Sequence, residues 1–159
     1  MEFFGDKKIL IISYYFPPTK TVAGIRISNF HQEVKKYFKE VFVLTTSNRQ
    51  RFAQDVFNFD DSKTQEIPTI DLRRFLTKKN TNPSLSSKTK KSNFSKFLSK
   101  LSYSFPFNLV LGDGGIIYIL RGYSMGKKKI RKEKIKFLFS SYSPYADHLI
   151  CYLLKKWKK

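Results

Sequence analysis

The chain has 159 residues, enough for one domain with a buried core, and 41% hydrophobic and 16% aromatic content excludes a disordered polypeptide. Lys and Arg number 31 against 12 Asp and Glu, a net charge of +19 that favours polyanions: nucleic acid, anionic headgroups or phosphorylated substrates. A single cysteine, Cys151, excludes an internal disulfide and a CxxC metal site.

Residues 8–13 form a short apolar run rich in isoleucine, the pattern of a strand buried on both faces of a parallel sheet. Residues 14–21 contain Pro17 and Pro18 and read as a loop. From Gly24 to Lys39, Ile27, Phe30, Val34, Tyr37 and Phe38 recur at helical spacing, with Ser28, Gln32, Lys35 and Lys36 on the other face. Residues 41–46 form a second buried strand, which completes a βαβ unit. A third strand is expected near 66–70, at a sheet edge because Pro68 cannot donate to a central ladder.

Residues 77–103 are a basic insertion of Ser, Lys and Asn without an acidic residue. Its last part carries Phe94, Phe97, Leu98 and Leu101 on one helical face. That face either lies on an anionic membrane or covers the sheet edge. A helix is expected from Gly115 to Arg131, with Gly122 and Gly126 as weak points. Residues 135–140 form a fourth strand, then a small polar turn, Ser141, Tyr142, Ser143 and Pro144. Pro144 suits the first turn of a helix carrying Ala146, Leu149, Ile150, Leu153 and Leu154. The fold class is α/β, a Rossmann-like three-layer sandwich around a mainly parallel sheet, in one domain spanning 1–159.

Ligands of open α/β sheets bind beyond the carboxyl ends of the strands. The candidate substrate- or phosphate-facing residues are therefore Pro17, Pro18, Gly24 and Arg26 on one turn and Ser141, Tyr142, Ser143 and Pro144 on the other. Gly24 would let a ligand approach free helix N–H groups, and Arg26 would bind phosphate or carboxylate. The alternative is a stiff connector with Arg26 simply solvated. No Walker or GxGxxG pattern is present. His31 reads as structural. His148, inside the last helix, reads as a partly buried helix residue before a catalytic one. No metal site is expected. With no basic-then-apolar leader and no membrane-length apolar run, the expected location is cytoplasmic, soluble or peripheral on the inner face of the membrane.

The run from Ile11 to Pro18, then Gly24, Ile25 and Arg26, then a helix entering the strand Val41 to Thr46, resembles the opening of the family 4 glycosyltransferases. The segment from Phe139 to Ile150 is similar to that family's "Ser-Ser-x-Pro-Pro-x-Ser-x-His-Leu" segment, and residues 105–123 to its "Pro-Asp" stretch, with Asp113 in the place of the acid. The resemblance is weak between Arg49 and Tyr103. It implies the amino-terminal, acceptor-side half of a GT-B fold, in enzymes that transfer a sugar from a nucleotide-sugar with retention of configuration. The implied donor-binding domain, with its pair of glutamates, lies outside this sequence. No tightly bound cofactor is therefore expected, and a nucleotide-sugar only together with a second domain. The implied partners are that domain or a partner subunit and a glycan or lipid-linked acceptor. The chain departs from the family in having Ala23 before Gly24 and no histidine near Ser141. Alternatives are one subunit of a split transferase and a basic non-catalytic module for membrane or nucleic acid. Catalytic residues are unassigned, and the isolated chain is expected to transfer no sugar.

Overall fold

The computed structural model describes residues 6–18, 21–48, 62–69, 115–141 and 145–158. Four strands, β1 (Lys8–Ile12), β2 (Glu40–Thr46), β3 (Thr64–Ile67) and β4 (Phe137–Ser140), form one sheet in the order β3-β2-β1-β4. Every pairing is parallel: Ile9 lies opposite Val41 and Phe137, and Thr46 opposite Ile67. The helices are α1 (Val22–Val34), α2 (Gly115–Glu133) and α3 (Tyr145–Lys158).

Side-chain alternation along β1 and β2 feeds two separate cores. Ile9, Ile11, Val41 and Val43 pack with Ile27 and Val34 of α1. Leu10, Ile12, Phe42 and Leu44 pack with Tyr118, Ile119 and Ile130 of α2 and Ile150 and Leu154 of α3. The result is helix, sheet, helix: the three-layer α/β sandwich expected from the alternation of apolar strands and amphipathic helices.

Three local readings need correction. β3 ends at Ile67, so the strand sits about two residues earlier than expected and Pro68 lies just beyond it. It is nevertheless an edge strand among the described residues. α1 begins at Val22 behind the N-cap Thr21, whose hydroxyl accepts from the Gly24 N–H at 3.0 Å. Gly122 and Gly126 are packing positions. A Cβ on Gly122 would stand 2.7 Å from Ile150 Cδ1, and one on Gly126 would stand 2.6 Å from Leu154 Cδ1. Their missing side chains let α3 lie close against α2.

Candidate functional site at the carboxyl edge

β1, β2 and β3 step outward in one direction, and the chain then returns to place β4 on the other side of β1. The strand order therefore reverses between β1 and β4. In open α/β sheets that reversal opens a crevice at the carboxyl ends, because the two exit loops lead to helices on opposite faces. Here the exit from β1 leads to α1, and the exit from β4 leads to α3 on the other face.

One residue from each candidate group meets there. Arg26, exposed in the second turn of α1, donates from Nη2 to Ser141 Oγ at 3.3 Å. Alternation places Phe137 and Phe139 on the α1 side and Leu138 on the α3 side, where Ser140 follows it. Phe30 stacks on Phe139 with centroids 4.0 Å apart, which fixes α1 against β4 one turn beyond Arg26. The guanidinium is thus held by its own helix at the mouth of the crevice, with N–H groups in a planar fork suited to an oxyanion.

Pro17 is buried and Pro18 half-buried, and a cis peptide bond joins them. Gly24 differs from its expected role. It lies inside α1 without a positive φ, is buried, and its N–H is already engaged by Thr21. Thr21, which the sequence reading passed over, occupies the anion-seeking position at this helix start. Tyr142, Ser143, Pro144 and Asp113 lie outside the described residues, as does the insertion 77–103.

His148 is exposed, not partly buried, and its Nδ1 lies 2.7 Å from Ser140 Oγ. This hydroxyl–imidazole pair stands on the α3 side of β4, next to Ser141 in sequence. Cys151, one turn further along α3, is half-buried; burial pushes its thiol pKa up, and the Ser140 hydroxyl partly opposes that. His31 is buried and set edge-on to Phe16, with centroids 5.6 Å apart, in keeping with a structural role.

The residue that sequence reasoning missed is Asp147. It is fully buried in the first turn of α3. Its Oδ2 accepts the Tyr14 backbone N–H at 2.9 Å, and its Oδ1 accepts the Tyr118 hydroxyl at 2.8 Å. Burial raises its pKa to about 7 against the pull of those two donors. The Tyr118 hydroxyl is pushed well above the usual tyrosine range by burial, then by the carboxylate beside it. One side chain thereby ties the first residues after β1 to both helices of the opposite layer. The signal was legible: Asp147, Ile150 and Leu154 share one helical face, so an acid stood at a core position.

Asn48, just beyond β2 at the same sheet edge, is also buried, and its Nδ2 has no hydrogen-bond partner among the described residues. A cavity of about 250 Å³ lies at the other edge, near the starts of β2 and β3, bordered by Lys35, Glu40 and Lys63. It does not touch the crevice residues. Among the described residues no cluster of His, Cys, Asp and Glu could hold a metal ion. No described helix is long and apolar enough to cross a membrane. No protein-family model, curated protein or solved structure matches the chain.

Proposed function

We propose that this chain is the acceptor-side Rossmann-like domain of a glycosyltransferase. In this reading the domain works at the cytoplasmic face of a membrane, where a sugar passes from a nucleotide-sugar to a polysaccharide or lipid-linked acceptor. The observation that carries the reading is the meeting of Arg26 and Ser141 at the strand-order reversal, on the two turns that resemble the family 4 enzymes. Arg26 binds a phosphate of the acceptor or donor, and the β4–α3 turn faces the acceptor. A retaining transfer also needs a held diphosphate leaving group, whose growing charge must be neutralised. In this reading those groups come from a second domain or partner subunit.

The test is a titration of the purified chain, followed by amide NMR, with a short-chain prenyl diphosphate-linked sugar, with UDP-glucose and with inorganic phosphate. Shifts at residues 21–28 and 140–148 on adding the acceptor analogue, with little response to UDP-glucose, fit an acceptor-side domain. A response confined to other surfaces removes the reading. The net charge of +19 favours a second reading, a basic non-catalytic module. It predicts binding to any polyanion without a response at Arg26.

A further inference from the structure

Elsewhere on the described surface, four lysines are matched by acids: Lys8 with Glu40 and Glu133, Lys36 with Glu33, Lys39 with Asp6 and Lys63 with Glu40. The outward surface of the α2–α3 pair differs. Lys127, Lys128, Arg131, Lys132, Lys155 and Lys156 pair with no carboxylate among the described residues. The two helices are parallel, since Gly122 meets Ile150 and Gly126 meets Leu154. Their basic last turns therefore end at the same edge of the sheet, where Lys158 Nζ reaches the Ile135 carbonyl at 2.9 Å. Cations crowded without counter-charges repel one another, a cost that a polyanionic surface would relieve.

Aromatic and apolar groups share this surface. Lys127 Nζ lies 5.1 Å from the Tyr123 centroid and 5.0 Å from that of Trp157, and Arg131 Cζ lies 4.8 Å from Trp157. Ile116, Leu120, Lys127 and Arg131 recur at steps of four and seven along α2, so they form one stripe. Ile116 is 45% exposed, Leu120 61% and, on α3, Tyr152 55%. A polynucleotide would use the cations but gain nothing from exposed Ile116 and Leu120. Trp157, half-buried against the core and approached by two cations, is a poor stacking platform for a base. A lipid interface accommodates all three kinds of group: cations at the headgroups, Tyr and Trp at the boundary, Ile and Leu below it.

We infer that the outward face of the α2–α3 pair is a docking surface for an anionic lipid bilayer. Lys127, Arg131, Lys155 and Lys156 meet the headgroups, and Ile116, Leu120 and Tyr152 enter the interface. This assignment does not depend on the transferase reading, because it uses none of the crevice residues.

The test is co-sedimentation of the full chain with phosphatidylcholine vesicles, with and without phosphatidylglycerol. Trp157, the sole tryptophan, serves as a reporter on the surface itself. The expected result is binding to the anionic vesicles only, with Trp157 emission shifted to the blue and quenched by brominated lipid. Changing Lys127, Arg131, Lys155 and Lys156 together to Gln should weaken partitioning by about tenfold or more, since each cation near such a surface contributes appreciably. Ile116→Ser with Leu120→Ser should weaken it at unchanged charge. Circular dichroism confirms that these surface variants remain folded. Unchanged binding by the fourfold Gln variant overturns the assignment. So does loss of binding only when Lys88, Lys90, Lys91, Lys96 and Lys100 are changed to Gln. Preference for single-stranded RNA over phosphate-matched vesicles would show that the surface serves a polynucleotide instead.

Discussion

The Tyr118 hydroxyl donates to Asp147 Oδ1 across 2.8 Å in the interior, joining the amino-terminal turns of α2 and α3. The same carboxylate accepts the Tyr14 N–H, so the start of the β1–α1 loop hangs from a buried acid more than a hundred residues away in sequence. Tyr14 and Tyr118 also meet edge to face, with centroids 5.3 Å apart. Each of the three residues is buried to 2% exposure or less, so the pairings have no competing bulk water.

Asp147 makes stability depend on pH with a definite sign. Its folded pKa, about 7, lies above the ordinary value of 3.8. From pH 4 to 7 the native state therefore holds a proton that the unfolded state has lost, and stability falls as pH rises. The decline from this group is on the order of 4 kcal/mol and is complete above pH 7. Urea titrations from pH 4 to 8 should show that slope in the wild type and a flatter profile in Asp147→Asn. Asp147→Ala removes the acceptor of two buried donors and should cost about 2–5 kcal/mol near pH 4, a cost that shrinks as pH rises because the alanine variant lacks the titrating group.

Tyr118→Phe separates the hydrogen bond from the ring. The hydroxyl stabilises the charged carboxylate, so its removal should move the Asp147 titration further upward, above about 7. The carboxyl carbon-13 shift of Asp147, followed by NMR against pH, measures this directly. A downward move would mean that Tyr118 does not donate to the ionised form.

The glycines of α2 should respond to side-chain size in a graded way. Alanine at Gly126 meets Leu154 Cδ1, the flexible end of a side chain, and a gain of about 1 kcal/mol in helix propensity offsets the shift. Gly126→Leu and Gly122→Val should instead force α3 outward and cost about 1–3 kcal/mol in chemical denaturation. Equal stability across the alanine and larger variants would mean that the α2–α3 contact adapts freely.

On the proposed transferase reading, Arg26→Ala should weaken binding of a phosphate-bearing ligand at the crevice by about tenfold to a hundredfold, the loss of one charge-assisted hydrogen bond of about 1.5–3 kcal/mol. Because Arg26 is exposed, the thermal midpoint should move little. Arg26→Lys should recover only part of the affinity, since an ammonium cannot offer two parallel donors. Isothermal titration with the acceptor analogue, paired with melting curves, distinguishes lost binding from lost folding. Gly24→Ala should be tolerated by the backbone, because Gly24 already has helical geometry.

Local composition determined the elements. Ile9 to Ile12 and Val41 to Leu44 are apolar on both faces, which suits only a strand covered on both sides, and the spacing of Ile27, Phe30 and Val34 suits only a helix with one buried face. Those patterns, with the turns after residues 13 and 140, were enough for the sandwich. The start of α1 was misread by two residues because its cap is a single hydroxyl, which carries no periodicity. Which loops become neighbours was decided only in three dimensions. Arg26 and Ser141 are 115 positions apart, and they meet because the chain crosses back to put β4 beside β1. The roles of Gly122 and Gly126 likewise depend on α3 lying against them, since a missing side chain has meaning only through what fills its place. Asp147 is the sharpest case: on the helix it is one acid near an N-terminus, and burial between Tyr14 and Tyr118 alone turns it into a tie whose proton is held to neutral pH.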